Sequence, residues 1–372
     1  MNDSKCKLIM IATHVGVVNR GAETFAIELS KHLGERFDVT LFARGQHADL
    51  KGIIHTIECN EGAVVPLLKW ILNRSRLYRG ISDRLPWIAP EAIFQRRFTK
   101  KVSRTIDGNN PNGKICIFPN NGVYGARWAK KYAKTRRAKW IYTGHGGIGR
   151  SEAAILQMKP DAYIAITKEN AEWAKGISSN VECIPNGIDL NRFHNVANKK
   201  ENVRCRQVLS VAALERFKRH ELTIQAVSTI PNVALKILGT GTQKSALTNL
   251  CDELLPGRYE ISSVKYENIH EAYQEADVFV LPSDREPFGI VYLEAMASGL
   301  PIVAQLDDSR KEIIGNAGIL VDCTDIHAFT DAINKALSYS WKTVPRAQAE
   351  KFSWKAVSEQ YANLINRITS DV

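Results

Sequence analysis

Two kinds of apolar pattern alternate along this chain, and the alternation runs through it twice. Short continuous apolar runs, such as Lys7-Leu-Ile-Met-Ile-Ala-Thr13 and Val278-Phe-Val-Leu281, mark strands buried on both faces. Between such runs the apolar residues recur every third or fourth position, as at Ala22, Phe25, Ala26, Leu29 and Leu33, with Gly34 as the stop. Strand–helix–strand alternation points to a mostly parallel sheet with helices on both faces. The pattern predicts strands at Asp38–Ala43, Lys114–Phe118, Lys139–Thr143, Ala162–Ile166 and Val181–Ile184 in the first half. In the second half it predicts them at Gln207–Ala212, Val233–Leu238, Glu260–Ser263, Val278–Leu281, Ile302–Ala304 and Gly318–Val321. Helices are expected at Glu221–Thr229, Gln243–Leu255, Asn268–Glu275, Gly289–Ser298 and Ile326–Ser338. Residues 60–110 fit no clean repeat and read as one or two amphipathic helices with loops.

The 372 residues suit two domains of ordinary size. The expected division is 1–187, joined by a last helix at about 354–372, and 188–353. No apolar run reaches the roughly 18 residues of a membrane span, and the first residues do not resemble a secretory leader. The seven cysteines are scattered and no Cys-x-x-Cys occurs, so neither a zinc site nor a disulfide framework is expected. These features together predict a cytoplasmic protein.

Charge is unevenly placed. Residues 1–197 hold 30 Lys/Arg against 17 Asp/Glu, or +13; residues 198–372 hold 20 against 22, or −2; the two sum to the chain's +11. Residues 69–104 carry ten Lys/Arg against Asp83 and Glu91, and residues 127–139 carry seven and no acid. Such runs are commonly a solvated face. Interleaved with Trp70, Leu77, Trp87 and Phe94, the first also suits an anionic membrane surface. Nucleic acid is not the expected partner, because no recognition motif or clear stacking platform accompanies the charge.

The segment Pro282-Ser-Asp-Arg-Glu-Pro-Phe-Gly-Ile-Val-Tyr-Leu-Glu-Ala-Met-Ala-Ser-Gly-Leu-Pro301 follows a strand and opens a helix. Gly289 lets a ligand approach the backbone, and the free amides of Ile290 and Val291 then face an anion at the positive end of the helix dipole. Glu286 before the turn and Glu294 within the helix offer carboxylates to hydroxyls on either side of a bound phosphate. A nucleoside diphosphate sugar has that layout. The bare Glu-x7-Glu spacing by itself describes many strand–helix turns.

The full string Glu286-Pro-Phe-Gly-Ile-Val-Tyr-Leu-Glu294 resembles the signature of glycosyltransferase family 4, retaining enzymes of GT-B fold. Ile184-Pro-Asn-Gly-Ile-Asp189 with Arg192-Phe193 resembles the family's domain junction, and Arg20-Gly21-Ala22-Glu23 its N-terminal glycine loop. The resemblance implies two Rossmann-like, doubly wound α/β domains facing a central cleft. It implies that Glu286 binds hydroxyls of the donor sugar, that Glu294 binds the ribose, and that Gly289, Ile290 and Val291 hold the distal phosphate. Lys218, in Ala213-Leu-Glu-Arg-Phe-Lys218, falls at the family's phosphate-binding lysine, and Gly21 lies against the diphosphate or donor sugar. His145, in Thr143-Gly-His-Gly-Gly147, falls where the family often has a histidine near the sugar. Three positions depart from the pattern. Ala212 and Ala213 stand where the family carries an arginine, leaving Arg216 or Arg219 to supply its charge. Arg20 replaces the first N-terminal glycine, and Asp308-Ser309 a later glycine pair.

The implied activity is transfer of a hexosyl or N-acetylhexosaminyl group (EC 2.4) from a nucleotide sugar to an acceptor hydroxyl, with retention. The implied setting is cell-envelope polysaccharide, lipopolysaccharide or glycolipid synthesis, with a sugar or lipid-linked acceptor, peripheral to the inner face of the plasma membrane. No Asp-x-Asp occurs, so no metal or other cofactor is expected. The alternatives are a non-catalytic GT-B protein that binds anionic lipid or polysaccharide, and a phosphorylase or epimerase of the same fold.

Overall fold

The computed structural model describes residues 5–17, 21–47, 50–59, 90–108, 114–120, 122–194 and 205–370. Two compact units divide the chain: residues 1–185 with 357–372, and residues 186–356.

In the first unit the strands are β1 Lys7–Ile11, β2 Asp38–Ala43, β3 Ile54–Thr56, β4 Ile115–Pro119, β5 Lys139–Gly144, β6 Ala162–Ala165 and β7 Val181–Cys183. Its helices are α1 Gly21–Leu33, α2 Pro90–Gly108, α3 Gly122–Arg136, α4 Arg150–Leu156 and α5 Lys168–Lys175. The strands lie in the order β3-β2-β1-β4-β5-β6-β7, every pairing parallel. The sequence pattern found all of these strands but β3, a three-residue strand with no buried residue and hence no apolar signature.

Within the irregular region 60–110, α2 emerges as one long helix. Phe94, Phe98, Val102 and Ile106 recur every fourth residue and bury against a face of α3 made small by Ala126, Ala129 and Ala133. The basic, aromatic-studded stretch at 69–89, with Trp70 and Trp87, lies outside the described residues, as does Arg20.

The second unit repeats the winding. Its strands are β8 Arg206–Val211, β9 Val233–Leu238, β10 Tyr259–Ser262, β11 Val278–Leu281, β12 Ile302–Gln305 and β13 Gly318–Val321. They lie in the parallel order β10-β9-β8-β11-β12-β13. Its helices are α6 His220–Ser228, α7 Lys244–Leu254, α8 Ile269–Glu275, α9 Ile290–Ala297, α10 Asp308–Ile314, α11 Ile326–Ser338 and α12 Val344–Glu350. The last helix, α13 Trp354–Thr369, starts in the second unit and carries the chain into the first.

Both sheets therefore reverse their winding between two central strands, β1 and β4 in one unit and β8 and β11 in the other. In open parallel sheets, ligands bind outside the carboxyl ends of the strands at that reversal. The seven cysteines are all free. No helix among the described residues is long and apolar enough to cross a membrane.

Candidate functional site

Strands β8 and β11 are neighbours through Val278↔Val208 and Phe279↔Leu209. The loops that follow them are bonded together. After β8 the chain makes a single 3-10 turn at Arg216–Lys218, passes through left-handed Arg219 and enters α6. After β11 it runs through Pro282–Phe288 to Gly289. The Asp284 amide donates to the Phe217 carbonyl at 2.8 Å, and the Arg219 guanidinium donates to the Asp284 carboxylate at 2.6 Å. Between these ties the ammonium of Lys218 pairs with the Glu286 carboxylate, both side chains only 13% and 11% exposed.

Gly289 sits at φ +81°, a left-handed conformation that costs glycine nothing. A Cβ there would stand 2.4 Å from the Tyr292 ring and 3.0 Å from Cγ of Glu286. Glu286 thus lies across the head of α9. The amides of Ile290 and Val291 open that helix and have no acceptor within it. The structure accordingly brings together Lys218, Glu286, Gly289, Ile290 and Val291, which the sequence places 68 to 73 residues apart or adjacent. Arg216 is exposed on the same 3-10 turn and has no acidic partner among the described residues, whereas Arg219 is committed to Asp284. A cation, an ion pair and a helix N-terminus at one place suit the oxygens of a phosphate and the hydroxyls beside it.

Beneath this floor lies an arginine that the sequence reading missed. Arg310 is fully buried. It pairs with the Asp307 carboxylate, donates to the Ser283 carbonyl at 2.6 Å and donates to the Tyr292 hydroxyl at 3.1 Å. It thereby joins the loop after β11 to the ring under Gly289. Asp307 also caps α10 by accepting from the Arg310 amide at 2.8 Å, so a capped helix stands where the family pattern has a glycine pair. One arginine in a chain with 50 Lys/Arg gives no signal of this.

Glu294 lies on α9, 3% exposed. It accepts from the Tyr273 hydroxyl at 2.6 Å, and Tyr266 also donates to it. Burial pushes its carboxyl up to about 7, with the two phenols and Arg192 pulling the other way. The Arg192 guanidinium in turn stands 4.0 Å from the Tyr266 ring centroid. Two of the carboxylate's acceptor sites are thus taken by phenols, and a ribose hydroxyl would share the group with them. Tyr273 and Tyr266 are further residues that spacing alone did not single out.

Gly21 and His145 belong to the first unit. Gly21 opens α1 beside the winding reversal, where Asn120, just past β4, donates from its side chain to the Ala22 carbonyl at 2.8 Å. His145 follows β5, its ring edge-on to Phe25 with centroids 4.5 Å apart. Burial lowers its pKa to about 4, so the imidazole is neutral at pH 7. Its Nε2 is buried with no hydrogen-bond partner.

Glu152 holds the loop that presents this ring. It accepts from the Gly146 amide at 3.1 Å and the Tyr163 hydroxyl at 2.9 Å. A Cβ at Gly144 would fall 1.9 Å from that hydroxyl, and one at Gly146 would fall 2.8 Å from Glu152 Oε1. The glycines around His145 therefore answer to this clamp. Burial raises the Glu152 carboxyl from 4.5 to about 7. A raised carboxyl contributes stability that is full below the unfolded value and lost as pH rises through the folded one. Between about pH 5 and pH 8 the native chain is therefore expected to lose up to about 3 kcal/mol of stability relative to Glu152→Gln, which carries no charge at any pH. The same pH dependence of stability in both proteins, measured by denaturation followed by circular dichroism, would show that Glu152 does not titrate there.

No group of three or more His, Cys, Asp or Glu side chains placed to hold a metal ion occurs among the described residues.

Two family models match consecutive parts of the chain: Glycosyltransferase Family 4 over residues 19–192 and Glycosyl transferases group 1 over residues 190–352. A D-inositol 3-phosphate glycosyltransferase of Corynebacterium urealyticum is 27% identical over 245 residues, 57% of this chain and 56% of that protein. A GDP-mannose-dependent alpha-(1-6)-phosphatidylinositol monomannoside mannosyltransferase of Mycolicibacterium smegmatis is 27% identical over 228 residues, 54% of this chain and 60% of that protein. The chain thus spans little more than half the length of these curated relatives. Among solved structures, Anabaena HepE in complex with UDP and glucose superposes with a TM-score of 0.72 at 17% identity, covering 97% of this chain and 100% of that one. That likeness is one of fold. With two doubly wound Rossmann-like units of GT-B type, a Family 4 domain followed by a group 1 domain, and the Glu286–Glu294 motif built at the winding reversal, the chain belongs to the family 4 glycosyltransferases.

Proposed function

We propose that this protein transfers a hexosyl or N-acetylhexosaminyl group from a nucleoside diphosphate sugar to an acceptor hydroxyl, with retention of configuration and without a metal ion. The observation that carries this reading is the Lys218–Glu286 pair at the head of α9, on the two central strands of the second sheet. In the reaction the bond from the anomeric carbon to the diphosphate oxygen breaks. The acceptor oxygen bonds to that carbon, and the acceptor proton passes to the departing phosphate on the same face of the sugar. Negative charge grows on the leaving diphosphate. Lys218, Arg216 and the amides of Ile290 and Val291 are the groups that stabilise it, with Gly289 letting the phosphate come close. Glu286 positions sugar hydroxyls, and Glu294 accepts from the ribose beside the two phenols. In the first unit, Gly21 and the neutral His145 imidazole are the residues to which the family pattern gives the diphosphate and the sugar.

The names of the relatives support a lipid-linked acceptor in cell-envelope synthesis, since one relative acts on a phosphatidylinositol mannoside. The strongly basic first half supports work at an anionic membrane face on the cytoplasmic side. The charge that a metal would neutralise falls here to Lys218 and Arg216, in a chain without Asp-x-Asp.

Calorimetry with UDP- and GDP-sugars in EDTA tests the reading. One of these donors is expected to bind and to be turned over slowly without metal. Lys218→Ala is expected to lower turnover about 100-fold while changing the donor Kd by less than tenfold, because its charge matters most as the phosphate leaves. If no nucleotide sugar binds, the transferase reading fails; if EDTA abolishes turnover and magnesium or manganese restores it, metal independence fails.

A further inference from the structure

Helices α2 and α3 run side by side and leave a groove of about 670 Å³ along their outer surface. Arg96, Lys100 and Asp107 line it from α2, and Arg127, Lys131 and Arg136 from α3. The positions repeat at helical spacing, so each helix turns one stripe to the groove. The only acid in the lining is already engaged: Asp107 accepts from the Tyr132 hydroxyl at 2.8 Å and pairs with Arg136 at 2.5 Å. No carboxylate pairs with Arg96, Lys100 or Lys131 among the described residues. The floor is aromatic. Trp128 stacks on Tyr132 with centroids 5.2 Å apart, and its indole donates to Ser103 at 2.9 Å. Burial and stacking leave Tyr132 no open face for a nucleic-acid base.

We propose that this groove seats the phosphate headgroup of an anionic membrane phospholipid. Arg96, Lys100 and Lys131, with no carboxylate partner among the described residues, over a half-buried tryptophan suit a phosphate with apolar chain beneath it. The surroundings choose the lipid over a small soluble phosphate. Exposed Lys101 and Arg104 on α2, and Lys130 and Lys134 on α3, extend the positive face well beyond the groove, matching an array of phosphates rather than one. The two helices carry ten Lys/Arg against Glu91 and Asp107. The inference rests on the membrane-facing part of the proposal above. It adds that one groove, and not net charge alone, makes the attachment, and it is independent of sugar transfer.

The test is co-sedimentation with phosphatidylcholine vesicles, alone and with about one third phosphatidylglycerol. Three forms are compared: the native chain, the groove variant Arg96→Gln/Lys100→Gln/Lys131→Gln, and a control, Arg104→Gln/Lys130→Gln/Lys134→Gln, that removes the same charge from exposed positions outside the lining. The native chain is expected to bind only the anionic vesicles. The groove variant is expected to bind at least tenfold more weakly, the control less than threefold, with nucleotide-sugar affinity unchanged in both. Equal losses in the two variants overturn the groove while leaving the membrane reading standing. No binding by the native chain overturns both. Saturable binding of glycerol phosphate at the groove without vesicle binding overturns the lipid in favour of a soluble phosphate.

Discussion

Glu286→Ala is expected to reduce sugar transfer by about 10³-fold or more with the fold intact. The loop that carries it is held by other contacts: the Asp284 amide to Phe217, the Arg219–Asp284 pair and the burial of Phe288 against Phe352 at 6.2 Å. Truncation therefore leaves the backbone in place and removes only the carboxylate. Two losses follow. The sugar hydroxyls lose an ionised acceptor, and Lys218 loses the partner that fixes its ammonium beside the head of α9. Loss of a single pre-placed polar group from a water-excluded site typically costs 10²–10³ in turnover; here the loss also frees a second. The measurement is kcat with the donor identified by calorimetry, beside a thermal melt. Native kinetics in the variant would move the sugar site away from this loop.

Arg310→Ala is expected to be the most destabilising single change in the second unit, by roughly 3–5 kcal/mol. The guanidinium is fully buried, and its three acceptors come from different parts of the chain: Asp307, the Ser283 carbonyl and the Tyr292 hydroxyl. Truncation leaves the Ser283 carbonyl and the Tyr292 hydroxyl without this donor in the interior, takes the cation from the partly exposed Asp307, and opens a void the size of an arginine side chain. Urea denaturation followed by circular dichroism reads the loss, with the two units free to unfold in separate steps. Because Tyr292 supports Gly289, turnover is expected to fall as well, even at temperatures where the variant stays folded. A shift under about 1 kcal/mol would mean that this arginine is not holding the floor together.

These two residues show what was legible in the sequence. Glu286 was legible because it belongs to a local string whose spacing, glycine and position after a buried strand repeat a known pattern. Lys218 was legible only in register with that string. Arg310 was not, because its partners are a carbonyl, a phenol and an aspartate brought together by winding, and composition says nothing of winding. The same holds for Tyr273 and Tyr266. The sequence offered Glu294 as an open carboxylate, and the structure shows it bonded to both phenols. The fold was more legible than the site, since burial on both faces writes itself as apolar runs. Strand β3 and the short helices α4, α5, α10 and α12, with little apolar repetition, escaped for the same reason in reverse, and so did α3, whose buried face is mostly glycine and alanine.

The placement of α13 bears on the order in which the protein acquires structure. Tyr361 is fully buried in the first unit, with Phe25 at 5.9 Å and Phe118 at 6.0 Å, and shares a hydrogen bond of 2.9 Å with Thr143. Domains emerging from the ribosome usually fold in the order they are made. Here the earlier-made unit lacks part of its core until residues 357–369 have been synthesised, while residues 186–356 are already complete. Translation would therefore finish the second unit first and hold the first unit open, with Phe25, Phe118 and the Gly-His-Gly-Gly loop awaiting their cover. A fragment ending at residue 185 inherits the same gap, and supplying the last helix as a separate peptide is the way to close it.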